Sequence, residues 1–139
     1  MGIIPYLCGM LYLKTPTSDL SVHQIRTIVK ETIMWCQENL GTKSYDVDFS
    51  VRTLRNKTNP SYGCYDGARR TIMVYRNYTP TVKMIIRVVL HEYTHYLQNL
   101  RWYGNVLDKV GYTNHPQEIE ARGMECLYSV CWNDIKNKI

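Results

Sequence analysis

The spacing of apolar residues predicts three amphipathic helices. The first follows Ser18 or Asp19, either of which can cap a helix, and ends before Gly41. The second runs from about residue 81 to residue 102 and is apolar enough in its first half to be buried centrally. The third spans residues 117 to 136 and follows a proline, which is favourable at a first helical position.

Alternating apolar and polar residues predict a small sheet between the first two helices. Tyr45 to Val51 alternates as a half-buried strand does. Cys64-Tyr65 and Arg70 to Tyr75 flank the turn-forming pair Asp66-Gly67, which predicts a hairpin. The expected architecture is α+β: a long N-terminal helix, a small mostly antiparallel sheet, a central helix and a C-terminal helix, in one domain over residues 1–139.

The remaining segments are expected to connect or support these elements. Ile3 to Leu13 is apolar and is predicted to be an extended segment packed on the body. Gly104 to Gly111 is predicted to be a linker or short turn. Gly123, inside the last predicted helix, would mark close packing against the second helix.

Composition limits the functional classes. The 139 residues are 45% hydrophobic and 21% charged, as in folded proteins, and the net charge is +5. The basic residues are scattered, with Arg69-Arg70 as the only adjacent pair, so a mixed solvated surface is favoured over a nucleic-acid interface.

Cysteine use and the N-terminal sequence indicate a compartment. The five cysteines cannot all pair within one chain, and no Cys-x-x-Cys occurs, so free thiols in a reducing compartment are expected. The apolar segment from Gly2 to Leu13 lacks a basic start and contains Pro5, unlike a signal peptide or a membrane span. We therefore expect a soluble, cytoplasmic protein.

The central predicted helix carries the sequence His91-Glu92-Tyr93-Thr94-His95. Residues four apart lie on one helix face, so His91 and His95 can direct their imidazoles at one metal ion. Glu92, about 100° around the helix, can reach a water bound to that ion. Burying three ionisable groups in an apolar helix without a partner would be costly, which favours a metal site.

A zinc site for hydrolysis needs a third protein ligand and leaves a position for water. Four downstream residues are candidates, namely Asp108, His115, Glu118 and Glu120. Glu118 and Glu120 lie about 200° apart on a helix, so only one can face the metal. Glu118 is favoured because it lies near a helix N-terminus and shares a face with the small Ala121.

His91-Glu92-Tyr93-Thr94-His95 followed by Glu118-Ile119-Glu120-Ala121 resembles the gluzincin metallopeptidases, over residues of about 70–132. The small phage and bacterial branch that includes the ImmA/IrrE-type enzymes is most similar. The resemblance implies a zincin-like fold and zinc held by His91, His95 and Glu118. The family often has Asp or Asn four residues after its glutamate ligand, to orient a histidine, where this chain has Arg122.

The expected activity is hydrolysis of peptide bonds, with Glu92 accepting a proton from a zinc-activated water. Tyr112 and His115 are candidate donors to the oxyanion. The resemblance also implies that a substrate peptide lies along the strand Arg70 to Tyr75. Two alternatives are a zinc amidase with a non-protein substrate and a basic binding protein whose metal site is structural or degenerate. For the binding protein, nucleic acid is a candidate ligand.

Overall fold

The computed structural model describes residues 11–53 and 61–139. Within these ranges the fold is α+β, with helices packed against a three-stranded mixed sheet. In chain order the regular elements are α1 (Val22–Asn39), β1 (Asp48–Arg52), β2 (Gly63–Asp66), β3 (Thr71–Tyr75), α2 (Val82–Leu97), α3 (Tyr103–Asn114), α4 (Pro116–Met124) and α5 (Tyr128–Ile135). Short 3-10 turns lie at Thr17–Asp19, Glu125–Leu127 and Lys136–Lys138.

Helix α1 confirms the long N-terminal helix, but its cap is neither Ser18 nor Asp19. The Ser21 side chain accepts a hydrogen bond from the Gln24 amide, and the Gln24 side chain accepts one from the Ser21 amide. This reciprocal capping box satisfies two amides that would otherwise lack partners, so the helix begins after Ser21. The chain leaves the helix at Gly41, whose φ of 99° suits glycine.

The sheet is mixed, so the prediction of a mostly antiparallel sheet is wrong. The strand order is β1-β3-β2, with β3 in the centre. The predicted hairpin of β2 and β3 is confirmed, with Gly63 opposite Val74. β1 lies parallel to β3, with Asp48 opposite Thr71. The chain reverses direction into β2 and again into β3, so β3 runs in the same direction as β1.

Helix α2 is central to the core, as predicted. The Thr81 side chain caps it by accepting from the Met84 amide, and its apolar residues pack against both α1 and the sheet. The helix ends at Leu97 rather than near residue 102, because Gln98 has extended backbone angles (φ −78°, ψ 155°). Gln98 therefore lies just outside the helix.

The C-terminal part differs from the predicted linker and single helix. The segment expected to be a linker forms α3, which bends at Gly111 (φ 77°, ψ 173°) and contains no buried residue. The predicted last helix is divided into α4 and α5 by the turn Glu125–Leu127. Pro116 does occupy the first helical turn, as predicted. A Cβ atom at Gly123 would have no atom of another element within 4 Å, so the predicted close packing there is wrong.

Several other expectations concern the ends and the thiols. Cys36, Cys64, Cys126 and Cys131 are free in the described part of the chain. Cys8 and most of the predicted extended segment Ile3–Leu13 lie outside the described residues. Among the helices of residues 11–53 and 61–139, none is long and apolar enough to cross a membrane.

Gly63 sets the distance between β2 and α2. A Cβ atom at this position would lie 2.5 Å from the Met73 carbonyl oxygen and 2.6 Å from Cγ1 of Val88. We expect Gly63→Ala to lower the free energy of unfolding by about 1–3 kcal/mol, the usual cost of overpacking. Denaturant unfolding would measure the loss. Gly123→Ala is the matched control, and equal stability of the two variants would contradict the prediction.

Candidate metal centre

Two helices bring together the three residues predicted to bind metal. His91 and His95 lie one turn apart on α2, are 8% and 7% exposed, and have ring centroids 4.9 Å apart. Glu118, in the first turn of α4, is only 3% exposed. One turn further along α4, Ala121 is fully buried, which lets the two helices approach closely.

One carboxylate oxygen of Glu118 faces both histidines. Its Oε1 atom lies 3.0 Å from Nε2 of His91 and 3.2 Å from Nε2 of His95. Two imidazole nitrogens and a carboxylate oxygen therefore converge on one small buried region. This is the donor set and the number of protein ligands that a catalytic zinc site uses.

The outer nitrogen of His91 is held by a charged pair. Nδ1 of His91 lies 2.8 Å from Oε2 of Glu125, in the turn that follows α4. The other oxygen of Glu125 accepts a hydrogen bond of 3.1 Å from Nε of Arg87, one turn before His91 on α2. Arg87 thus fixes Glu125, and Glu125 fixes the ring of His91.

The outer nitrogen of His95 is held by an amide. Nδ1 of His95 lies 2.7 Å from Oε1 of Gln98. Nε2 of Gln98 donates to Oε1 of Glu120 at 2.7 Å and to the carbonyl of Gln117 at 3.0 Å. Because both of these partners are acceptors, the amide nitrogen must face them and the amide oxygen must face His95.

These outer partners determine the tautomers of the two histidines. A carboxylate and an amide oxygen can only accept, so Nδ1 carries the proton in His91 and in His95. In the neutral rings both Nε2 lone pairs would then point at the lone pairs of Glu118. Such an arrangement is stable only when positive charge lies between them, supplied either by protons or by a cation.

The pKa values express this demand for positive charge. Burial lowers the pKa of His91, but hydrogen bonds to Glu118 and Glu125 outweigh it and raise that pKa to about 9. Burial likewise lowers the pKa of His95, and the bond to Glu118 reverses the shift. For Glu118, burial raises the pKa, but bonds from the two histidines and from Tyr103 hold it well below its usual range.

Glu92 lies beside this cluster without the contacts of Glu118. Its carboxylate and the ring nitrogens of His91 and His95 lie within 4.8 Å of one another. The side chain is 9% exposed and lines a cleft together with His91, His95 and Glu118. Burial raises the pKa of Glu92, and the neighbouring histidines oppose this in part. A buried carboxylate near a polarised water is well placed to exchange protons with it.

The other candidates for the third ligand are engaged elsewhere or exposed. Both ring nitrogens of His115 have backbone partners, with Nε2 donating to the Tyr103 carbonyl at 3.0 Å and Nδ1 accepting from the Gln117 amide at 3.1 Å. Glu120 is exposed and holds Gln98. Asp108 is exposed on α3. Because the N–H at Nε2 of His115 already donates to the Tyr103 carbonyl and Nδ1 accepts a hydrogen bond, His115 has no proton left to donate to an oxyanion.

Sequence reasoning missed three residues of this centre: Gln98, Tyr103 and Glu125. The Tyr103 hydroxyl donates to Oε2 of Glu118, and its ring stacks on His115 with centroids 4.2 Å apart. Gln98 lies three residues after His95, a spacing that could have indicated a shared face. Tyr103 had no comparable signal, because it lies between the predicted end of the central helix at residue 102 and the predicted linker Gly104 to Gly111.

A cleft of about 630 Å³ opens onto the metal centre. Gly63, Cys64 and Tyr65 of β2 line one side, and Tyr103 and Tyr112 of α3 also contribute to it. The strand predicted to lie along the substrate, Arg70 to Tyr75, is the central strand of the sheet and has no free edge. β1 and β2 are the edge strands, and of these β2 lines the cleft, so that prediction is wrong.

Comparisons of the chain with protein-family models, with curated proteins and with solved structures found no match. The assignment of this centre therefore depends on its own geometry.

Proposed function

We propose that the protein is a zinc-dependent metallopeptidase with a minimal, gluzincin-type, zincin-like arrangement. One observation carries the proposal. Nε2 of His91 and Nε2 of His95 both face Oε1 of Glu118, while the outer nitrogen of each ring is fixed by an acceptor. Three ligand atoms with their second layer of support already in place match a site built for a cation.

The donor chemistry fits zinc. Two imidazoles and one carboxylate make up a common catalytic zinc site, although non-haem iron uses the same donors. The arrangement on the helix favours zinc hydrolysis, because Glu92 follows the first of two histidines four residues apart and has a carboxylate oxygen within 4.8 Å of a ring nitrogen of each. When bound, zinc would polarise a substrate carbonyl and activate a water.

The chain's own residues then divide the remaining work. Glu92 would accept a proton on its carboxylate from the attacking water and deliver it to the leaving amine. Tyr112, which lines the cleft, would donate a hydrogen bond to the developing oxyanion. Tyr103 would keep Glu118 oriented through its second carboxylate oxygen. Glu125 and Gln98 would hold the two rings with Nε2 facing the metal.

The cleft favours an extended peptide as the substrate. β2 is an edge strand beside the metal centre, and a free strand edge can bind a peptide through main-chain hydrogen bonds. Binding of this kind selects for an extended backbone and little for sequence.

The direct test is metal analysis of the purified protein together with an assay on an unfolded protein substrate. We expect one zinc per chain, hydrolysis that stops on chelation, and recovery when zinc is restored. Stoichiometric iron in place of zinc would contradict the zinc assignment. A folded protein that binds no metal and gains no activity on zinc addition would support the binding-protein alternative. Zinc-dependent cleavage of only non-peptide amides would support the amidase alternative.

Glu125 should affect zinc binding without being a ligand. In Glu125→Ala, Nδ1 of His91 loses its acceptor, so its ring is no longer held in one tautomer and orientation. We expect zinc affinity to fall about 10–100-fold, the usual effect of losing such a partner. Competition with a fluorescent chelator would measure the affinity. Glu38→Ala, an exposed substitution on α1, should leave it unchanged.

A further inference from the structure

A second cavity adjoins the cleft of the metal centre. Its volume is about 370 Å³, and it shares Tyr65 and Leu100 with that cleft. Tyr45 and Tyr96 supply aromatic walls, and Lys43 supplies a cation. Apart from Gln98, whose side chain orients His95, the residues that line this cavity have no role in the proposed proton transfers.

Lys43 carries a positive charge with no carboxylate partner in the described part of the chain. Its Nζ atom donates to the Gln98 carbonyl at 2.9 Å and to the Tyr45 hydroxyl at 3.5 Å, so within residues 11–53 and 61–139 one N–H of the ammonium group has no partner. Among the described residues, no carboxylate oxygen lies within 4.0 Å of this nitrogen. Residues 1–10 and 54–60, outside those ranges, include no Asp or Glu.

The cavity is held in shape by its own contacts. The Tyr96 hydroxyl donates to the Tyr45 carbonyl and accepts from the Lys43 amide at 3.3 Å. The ring of Tyr96 meets those of Tyr45 and Tyr65 edge-on, at centroid distances of 5.7 and 6.1 Å. The guanidinium of Arg70 lies 3.9 Å from the centroid of Tyr45 and adds a second positive charge to this wall.

We propose that this cavity binds the side-chain carboxylate of an acidic residue in the substrate, so that the enzyme prefers Asp or Glu at one position near the scissile bond. The proposal rests on the proposed peptidase function. A peptide along the cleft passes the shared residues Tyr65 and Leu100, where one side chain can enter the cavity. There the methylenes of that side chain contact tyrosine rings, and its carboxylate pairs with Lys43.

The small number of charges favours a peptide over nucleic acid. Strand-tracking sites for nucleic acid use extended basic grooves that follow the phosphate backbone. This cavity has one cation inside and one at its aromatic wall, which suits a single carboxylate. Its position beside the proposed catalytic centre gives that carboxylate a role in substrate choice.

The test uses the zinc-loaded protein and pairs of peptides that differ only by Glu or Gln at one position, with every position around the cut examined in turn. At one position we expect kcat/KM to favour Glu at least about tenfold, the effect of a charged hydrogen bond. Lys43→Met should reduce this ratio to near unity, and Lys43→Arg should retain most of it. Lys30→Met, an exposed control on α1, should keep the wild-type ratio.

A binding measurement separates this proposal from the peptidase function. Calorimetry with zinc-loaded Glu92→Gln protein should show the same preference for binding the Glu peptide. The double variant with Glu92→Gln and Lys43→Met should lose this preference. Equal cleavage and equal binding of Glu and Gln peptides would overturn the acidic subsite and leave the peptidase intact. Failure to hydrolyse any peptide would overturn the proposed peptidase function. The calorimetric comparison would still show whether the cavity binds a carboxylate. Lys43-dependent binding of a single-stranded oligonucleotide that displaces the peptide would reassign the cavity to nucleic acid.

Discussion

Glu92→Gln should lose peptide hydrolysis while keeping its zinc. The amide has nearly the same size as the carboxylate but cannot accept the proton of the attacking water. General acid–base catalysis of this kind contributes about 10²–10⁴-fold, so we expect kcat to fall by that factor. Zinc content should remain at the wild-type level, because Glu118 rather than Glu92 contacts Nε2 of both His91 and His95. A steady-state assay with parallel metal analysis measures both quantities.

The control and the contrary result are well defined. Glu38→Gln makes the same chemical change at an exposed position on α1 and should not alter kcat. A Glu92→Gln protein that retains zinc and cleaves at the wild-type rate would show that the mechanism is wrong. Loss of zinc together with activity would instead make Glu92 a ligand.

Removing a proposed ligand should release the metal. His91→Ala and Glu118→Ala each remove one of the three proposed ligands, and we expect zinc affinity to fall by more than the roughly 10–100-fold assigned to outer partners. After dialysis each variant should contain far less than one zinc per chain. Mass spectrometry of the metal and a chelator competition assay would measure the effect.

Two exposed substitutions on α1 serve as controls for ligand loss. His23→Ala removes an exposed histidine, and Glu38→Ala removes an exposed glutamate. Both should keep stoichiometric zinc. Zinc lost from His91→Ala but retained in Glu118→Ala would move the third ligand to another residue. Circular dichroism of each variant would show that the fold survives.

Local patterns predicted the elements near the site better than their arrangement. The spacing of His91 and His95 follows from helix geometry alone, so their shared face could be read directly. Helix geometry also indicated that only one of Glu118 and Glu120 can face the histidines, and Glu118 is the one buried against them whereas Glu120 is exposed. The metal itself and the reaction stay predictions.

Long-range relations could not be read from periodicity. The parallel pairing of β1 with β3 depends on how the chain returns to the sheet, which no single strand encodes. The substrate edge was assigned to the wrong strand for this reason. Arg122 occupies the position at which the gluzincins often have an Asp or Asn that orients a histidine. Its guanidinium instead donates to the Thr113 carbonyl. Glu125 takes that role from a turn that periodicity had merged into one helix.

The exposure of α3 would couple binding of a metal ion at the proposed centre to local opening of this helix. This helix has no buried residue, and the Tyr103 hydroxyl connects its first turn to Glu118. Segments with so few buried contacts separate from the rest of a fold at a small fraction of the global unfolding free energy. An ion that immobilises Glu118 would favour the closed form of α3 by mass action. The bound ion and the docked helix would then stabilise each other. Any change that displaces α3 would also lower the affinity of the centre for the ion.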